Sequence, residues 1–195
     1  YDIAFYPGEV TEGPMVAAAS WGAGRVIAVP DHQMLNMGSY GDVSGAFYLN
    51  GLEWLSGTSS KDIVIVTHDG SIASWLSTEG FTQVRVSDQA GLAAALVGAD
   101  VLVPAWLGAN EPEANREAIG DFVRSGGGLF LAEYGVGYKW WWGKPLDEAP
   151  GNLVLREPGI GFASGHRWDT EELDATARAA GRVDAGAVLA MLEGD

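Results

Sequence analysis

The chain alternates short apolar runs with polar, glycine-punctuated breaks, and the period of each run separates strands from helices. Met15 to Ser20 and Arg25 to Pro30 are apolar runs joined by Trp21-Gly22-Ala23-Gly24, which predicts a hairpin with Arg25-Val26-Ile27-Ala28-Val29 as a buried strand. A polar, Gly-rich stretch from Asn36 to Asp42 follows. Phe47, Leu49, Leu52, Trp54 and Leu55 then recur at helical spacing up to a Gly57 stop, so Val43 to Ser56 is expected to be a helix with Trp54 turned to the core.

From Lys61 the pattern changes to strand and helix in turn. Asp62 to Thr67, with its Ile63-Val64-Ile65-Val66 run, reads as a strand covered on both faces. Ser71 to Thr78 is the next helix, with Trp75 inward, and the strand Gln83 to Val86, the helix Gly91 to Val97 and the strand Asp100 to Pro104 follow. Glu113 to Arg124 is amphipathic, with Ala114, Ala118, Ile119, Phe122 and Val123 inward; Gly126-Gly127-Gly128 ends it and feeds a last strand, Leu129 to Ala132. This alternation predicts an α/β three-layer sandwich with right-handed crossovers and a doubly wound, mostly parallel sheet. Ligands in such folds collect at the carboxyl ends of the strands. Beyond Glu133, Tyr134 to Trp142 reads as an aromatic, Gly-rich loop, followed by a Pro/Gly-punctuated stretch to Pro158 and a short run, Gly159 to Ala163. One domain is expected over residues 1–164, and an acidic helical tail or linker to a further domain over 165–195.

Charge and composition narrow the partners. Twenty-six acidic against eleven basic residues give a formal charge of −15, which disfavours nucleic acid. The 195 residues contain no cysteine, so a thiolate metal site and a cysteine nucleophile are excluded. No apolar run approaches the roughly 20 residues that span a bilayer, so direct membrane insertion is not expected. The chain enters at Tyr1 directly into the strand-like Asp2 to Tyr6, which suggests a processed protein or an excised piece of a longer one.

Two constellations carry candidate chemistry. His32, His68 and Glu133 each fall just past a predicted strand, with Asp31 and Asp69 beside the histidines. Two imidazoles and a carboxylate form a set that holds a divalent metal, and a His beside an acid is a general-base arrangement. Each His as a loop cap, with Asp69 or Ser71 as the N-cap of the next helix, is the alternative. The strands before them are the three most apolar and are expected to be central and adjacent, with His32 and His68 near Glu133. The second set is aromatic: Trp106, Tyr134, Tyr138 and the Trp140-Trp141-Trp142 run. Three consecutive tryptophans cannot all enter one core, so at least one is expected to be exposed, where it would stack on a sugar ring or anchor a protein partner; packing over the sheet edge is the alternative. No cofactor is expected.

The order of segments carries a resemblance. A hairpin ending in GAGRVIAVPDH, a helix ending in NGLEWL, the strand IVIVTHDG, a helix leading into RSGGGLFLAEYG, then a Trp-rich stretch and PGN resemble the class I glutamine amidotransferase-like domain of the TRP channel-associated factors. That domain is similar to one beside the mucin-directed zinc metallopeptidase domains of the enhancin-like class in bacteria. The resemblance covers roughly Tyr1 to Ser164 and implies a flavodoxin-like sheet. In catalytic amidotransferases a cysteine follows the strand after the Gly-rich turn, and this alignment puts Glu133 there, so thiolate chemistry on glutamine is excluded. His32, His68 and His166 cannot form the H-E-x-x-H of a metallopeptidase. The resemblance therefore implies a non-catalytic accessory domain of a larger, exported protein, extracellular or on a bacterial cell surface, that recognises a glycan or protein partner beside a metallopeptidase. A hydrolase or metal-dependent enzyme using His32, His68 and Glu133, and a structural spacer, are its rivals.

Overall fold

Among the described residues, six strands form one sheet. The computed structural model describes residues 16–30 and 37–162. The expected strand at Asp2 to Tyr6, the loop carrying Asp31 and His32, and the acidic tail with His166 lie outside the described residues. The hairpin is present as β1 (Ala17–Trp21) and β2 (Gly24–Val29), paired antiparallel. β3 (Val64–Thr67), β4 (Gln83–Val86), β5 (Val101–Val103) and β6 (Gly128–Ala132) complete the sheet in the order β1-β2-β6-β5-β3-β4, and every pairing beyond the hairpin is parallel.

Alternation along the strands sorts the core into two layers, because successive side chains leave opposite faces of a pleated strand. Ile27, Val29, Ile65, Val101, Val103 and Phe130 meet Tyr48, Leu52, Ile72 and Leu76 of α1 (Met37–Ser56) and α2 (Gly70–Thr78). Val26, Val66, Leu102, Leu129 and Leu131 meet Leu92, Ile119, Val123 and Leu155 of α3 (Leu92–Ala95), α4 (Glu113–Arg124) and α6 (Pro150–Leu155). Helices therefore cover both faces of a mixed, mostly parallel sheet, the layering that the alternating pattern predicts.

Three expectations need correction. The helix expected from Val43 begins at Met37, so part of the Gly-rich stretch is helical. Further along α1, a Cβ on Gly51 would lie 2.7 Å from the Phe130 ring, so its absence lets the helix press against β6. Tyr134 to Trp142 is not a loop, since α5 (Gly135–Trp142) is helical and ends at Gly143 in the left-handed region, φ 61°. On α4 the inward face carries Asn115 in place of Ala114, which is exposed, because Asn115 has hydrogen-bond partners inside. Trp54 and Trp75 face the core as expected but are only half-buried, packing against its edge, with the Arg25 guanidinium 5.4 Å from the Trp54 ring centroid.

The Gly-rich segments have packing reasons. A Cβ on Gly24 would come within 2.2 Å of the Gly127 and Val123 carbonyl oxygens, so the hairpin turn docks backbone to backbone on the end of α4. Ala23 N–H donates to Arg124 O at 3.0 Å across the same contact. The Gly126 to Gly128 run is a helix stop and close-packed turn.

Candidate functional site

The chain leaves β3 through α2 to β4 on one side, then returns through α3 to β5 on the other side of β3. Connections diverge at such a reversal, and the crevice outside the carboxyl ends of the strands is where open α/β sheets hold ligands. A cleft of about 720 Å³ opens there, lined among others by His68, Ser87, Gln89, Trp106 and Glu111, with exposed Val86 at its rim.

His68 follows β3 directly. Its Nδ1 lies 2.9 Å from Ser87 O. A carbonyl only accepts, so Nδ1 carries the hydrogen and Nε2 of the neutral ring is an acceptor. Nε2 is buried and has no hydrogen-bond partner. Asp69, its neighbour, turns to the helix: its Oδ1 accepts from Ser71 N at 2.7 Å, Ser71 Oγ at 2.6 Å and Ile72 N at 3.4 Å, capping α2. Burial raises the Asp69 pKa, but these hydrogen bonds outweigh it and the net shift is downward.

Trp106 follows β5 after Pro104 and Ala105. Ala105 has φ 57°, the one positive φ among the described non-glycine residues, and Trp106 N–H closes a tight turn on Pro104 O at 2.6 Å. A left-handed alanine costs about 1 kcal/mol, which the surrounding structure supports in turning Trp106 to the cleft. The floor is Glu111, 4% exposed. Its Oε2 accepts from Gln89 Nε2 at 2.7 Å and its Oε1 from Asn115 Nδ2 at 2.6 Å, while Asn115 Nδ2 also donates to Gln89 O at 2.8 Å. The sequence reading missed Gln89, Glu111 and Asn115; the available signal was a polar residue, Asn115, within the apolar stripe of α4.

Glu133 sits at the end of β6, fully buried. Gly151 N–H donates to its Oε2 at 3.2 Å. Burial pushes its carboxyl up to about 8, against the opposing hydrogen bonds from Gly151 and the Trp106 side chain. The Pro150-Gly151-Asn152 motif is built around this carboxyl. A Cβ on Gly151 would lie 2.7 Å from Glu133 Oε2, and Asn152 ties Leu146 O, Phe162 O and Phe162 N at 2.8, 3.0 and 2.5 Å.

The three strands expected side by side are not all adjacent. β2 and β6 pair, with Val29 opposite Ala132, but the short β5 lies between β6 and β3. His68 and Glu133 therefore leave strands two spacings apart, about 10 Å. The strand expected over Asp100 to Pro104 is β5, and nothing in the sequence pattern places it between β3 and β6. Among the described residues no group of three or more His, Cys, Asp or Glu could hold a metal ion; the proposed set includes His32, which lies outside them.

Beside the cleft the aromatic side chains form a continuous chain of rings. Trp106 and Trp142 have centroids 5.1 Å apart, Tyr138 and Trp142 5.4 Å, Trp142 and Trp141 6.1 Å, and Trp141 and Tyr134 5.4 Å. Tyr138 is buried, whereas Trp141 is 61% exposed. Trp140 lies on the same helix. Among the described residues no helix is long and apolar enough to cross a membrane.

Residues 3–171 match the family described as TRPM8, N-terminal domain. The fold is similar to a segment of IMPa metallopeptidase in complex with T-antigen, with 15% identity and a TM-score of 0.54 over 75% of this chain. It is also similar to IMPa metallopeptidase from Pseudomonas aeruginosa, with 19% identity and a TM-score of 0.51 over 75% of this chain. The aligned part spans 16% of the length of either structure. No curated protein matches.

Proposed function

Because this chain belongs to the family described as TRPM8, N-terminal domain, we propose that it is a non-catalytic accessory domain of a larger, exported protein, and that it recognises a glycan or glycan-bearing partner. The observation that carries this reading is Trp141, 61% exposed yet packed on Tyr134 and Trp142. An indole held rigid by neighbouring rings presents a large apolar face with little conformational entropy left to lose on binding. The absence of cysteine from the sequence, with Glu133 where an amidotransferase has its nucleophile, supports a binding role over glutamine chemistry. We also read the sheet as flavodoxin-like: β3, β4, β5 and β6 follow the 2-1-3-4 part of that order, and β2 takes the fifth place.

The likeness to IMPa supports a role beside a metallopeptidase, and T-antigen, the glycan bound in one of those structures, is the first probe. Titrating it while following tryptophan fluorescence should give a saturable change that Trp141→Ala weakens at least tenfold. No saturable change, or equal affinity in the two proteins, overturns the reading.

A further inference from the structure

The cleft at the β3/β5 reversal is separate from the exposed Trp141 face but shares Trp106 as a wall, and its polar groups have a consistent sign. Glu111 and Asp88 border it, and the Nδ1–H of His68 is already committed to Ser87 O. The Gln89 and Asn115 amides that clamp Glu111 turn their donors to its carboxylate and so away from any ligand. Each Glu111 oxygen accepts one of these bonds, and a carboxylate has about four lone-pair sites, so acceptor capacity remains. Nε2 of His68 adds a second acceptor, buried and unpartnered. A ligand here must therefore donate hydrogen bonds; phosphates and carboxylates meet two acidic side chains and are repelled.

The Trp106 indole selects among donors. Trp142 packs on it at 5.1 Å, which fixes its ring plane, and exposed Val86 gives the cleft an apolar rim. A flat apolar wall facing hydrogen-bond acceptors suits a ring with C–H groups on one face and hydroxyls at its edge. We infer that this cleft holds one neutral pyranose ring, packed on Trp106, with hydroxyls donating to Glu111 and to His68 Nε2. The inference rests on the glycan-binding reading and deepens it: the cleft seats a single sugar, and the Trp141 face contacts what lies beyond that sugar.

The probes are the methyl glycosides of glucose, galactose, mannose and N-acetylgalactosamine, titrated by calorimetry into the wild-type protein and into Glu111→Gln, His68→Ala and Trp141→Ala, each checked for a cooperative melt. At least one glycoside should bind saturably to the wild type and to Trp141→Ala. Glu111→Gln and His68→Ala, whichever of them folds, should each weaken it tenfold or more. Loss in Trp141→Ala alone overturns the cleft while leaving the exposed face as a glycan site; equal binding by all four proteins overturns the cleft and gives that face no part in holding the sugar. Binding of none of the glycosides, with or without binding of a diamine such as putrescine, overturns the cleft as a sugar site, and the T-antigen titration then decides the broader reading by itself.

Discussion

Glu133→Gln isolates the energetic consequence of a carboxyl buried at the end of a central strand. Burial raises its pKa from the ordinary 4.5 to about 8 in the folded chain. Between those values the folded state holds a proton that the unfolded state has released. Stability from this group is fully present below pH 4.5 and is lost as pH rises through about 8. At about 1.4 kcal/mol per unit, the loss over that window is about 5 kcal/mol, a large part of the roughly 5–15 kcal/mol that holds a typical domain together. Glutamine keeps an oxygen for the Gly151 N–H at nearly unchanged volume and never ionises. Urea unfolding of both proteins at intervals from pH 4.5 to 9 measures the difference directly, and all groups common to the two cancel. The variant should match the wild type to within about 1 kcal/mol at the acid end and exceed it by several kcal/mol at pH 9. A difference that stays flat across the range refutes the argument, because Glu133 would then be ionised in the folded protein throughout.

Two further expectations test its surroundings and the neighbouring cap. Gly151→Ala would bring a Cβ within 2.7 Å of Glu133 Oε2 and 3.0 Å of the Phe162 ring, and should lower stability by about 1–3 kcal/mol in a melting or urea experiment; no change would mean that α6 shifts freely. Asp69→Ala removes the N-cap of α2 and should cost about 1 kcal/mol at neutral pH. The Asp69 pKa is lowered, so its contribution is lost as pH falls through the folded value, and the gap to wild type should close in acid; a gap constant with pH would show that its charge is irrelevant.

Local chemistry wrote most of the fold into the sequence. The Ile63 to Val66 run, the hairpin turn and the triple glycine each specify their element from within a few residues, and all three are where the pattern put them. Strand order has no such local signature, so β5, three residues long, was not recognised as lying between β3 and β6. Helix α5 was hidden by glycines at positions 135 and 137, poor helix formers on their own. Gly137 is where the rings close in: a Cβ there would lie 2.3 Å from the Tyr134 ring. The Gln89, Glu111 and Asn115 network joins segments 22 to 26 residues apart, and only the misplaced polarity of Asn115 hinted at it.

The pairing of β2 with β6 also sets the order in which the molecule can be completed. Arg25 lies opposite Gly128, so the two halves of that ladder are separated by 103 residues of chain. A newly made hairpin must wait on the ribosome for its partner strand, about 5–20 seconds at ordinary rates of synthesis. During that interval β3, β4 and β5 can assemble through short crossovers, while the apolar Val26 to Val29 edge has no strand to receive it. Closure of β6 between β5 and β2 then joins the two parts in one event of high contact order, which makes that step the slow and aggregation-exposed one.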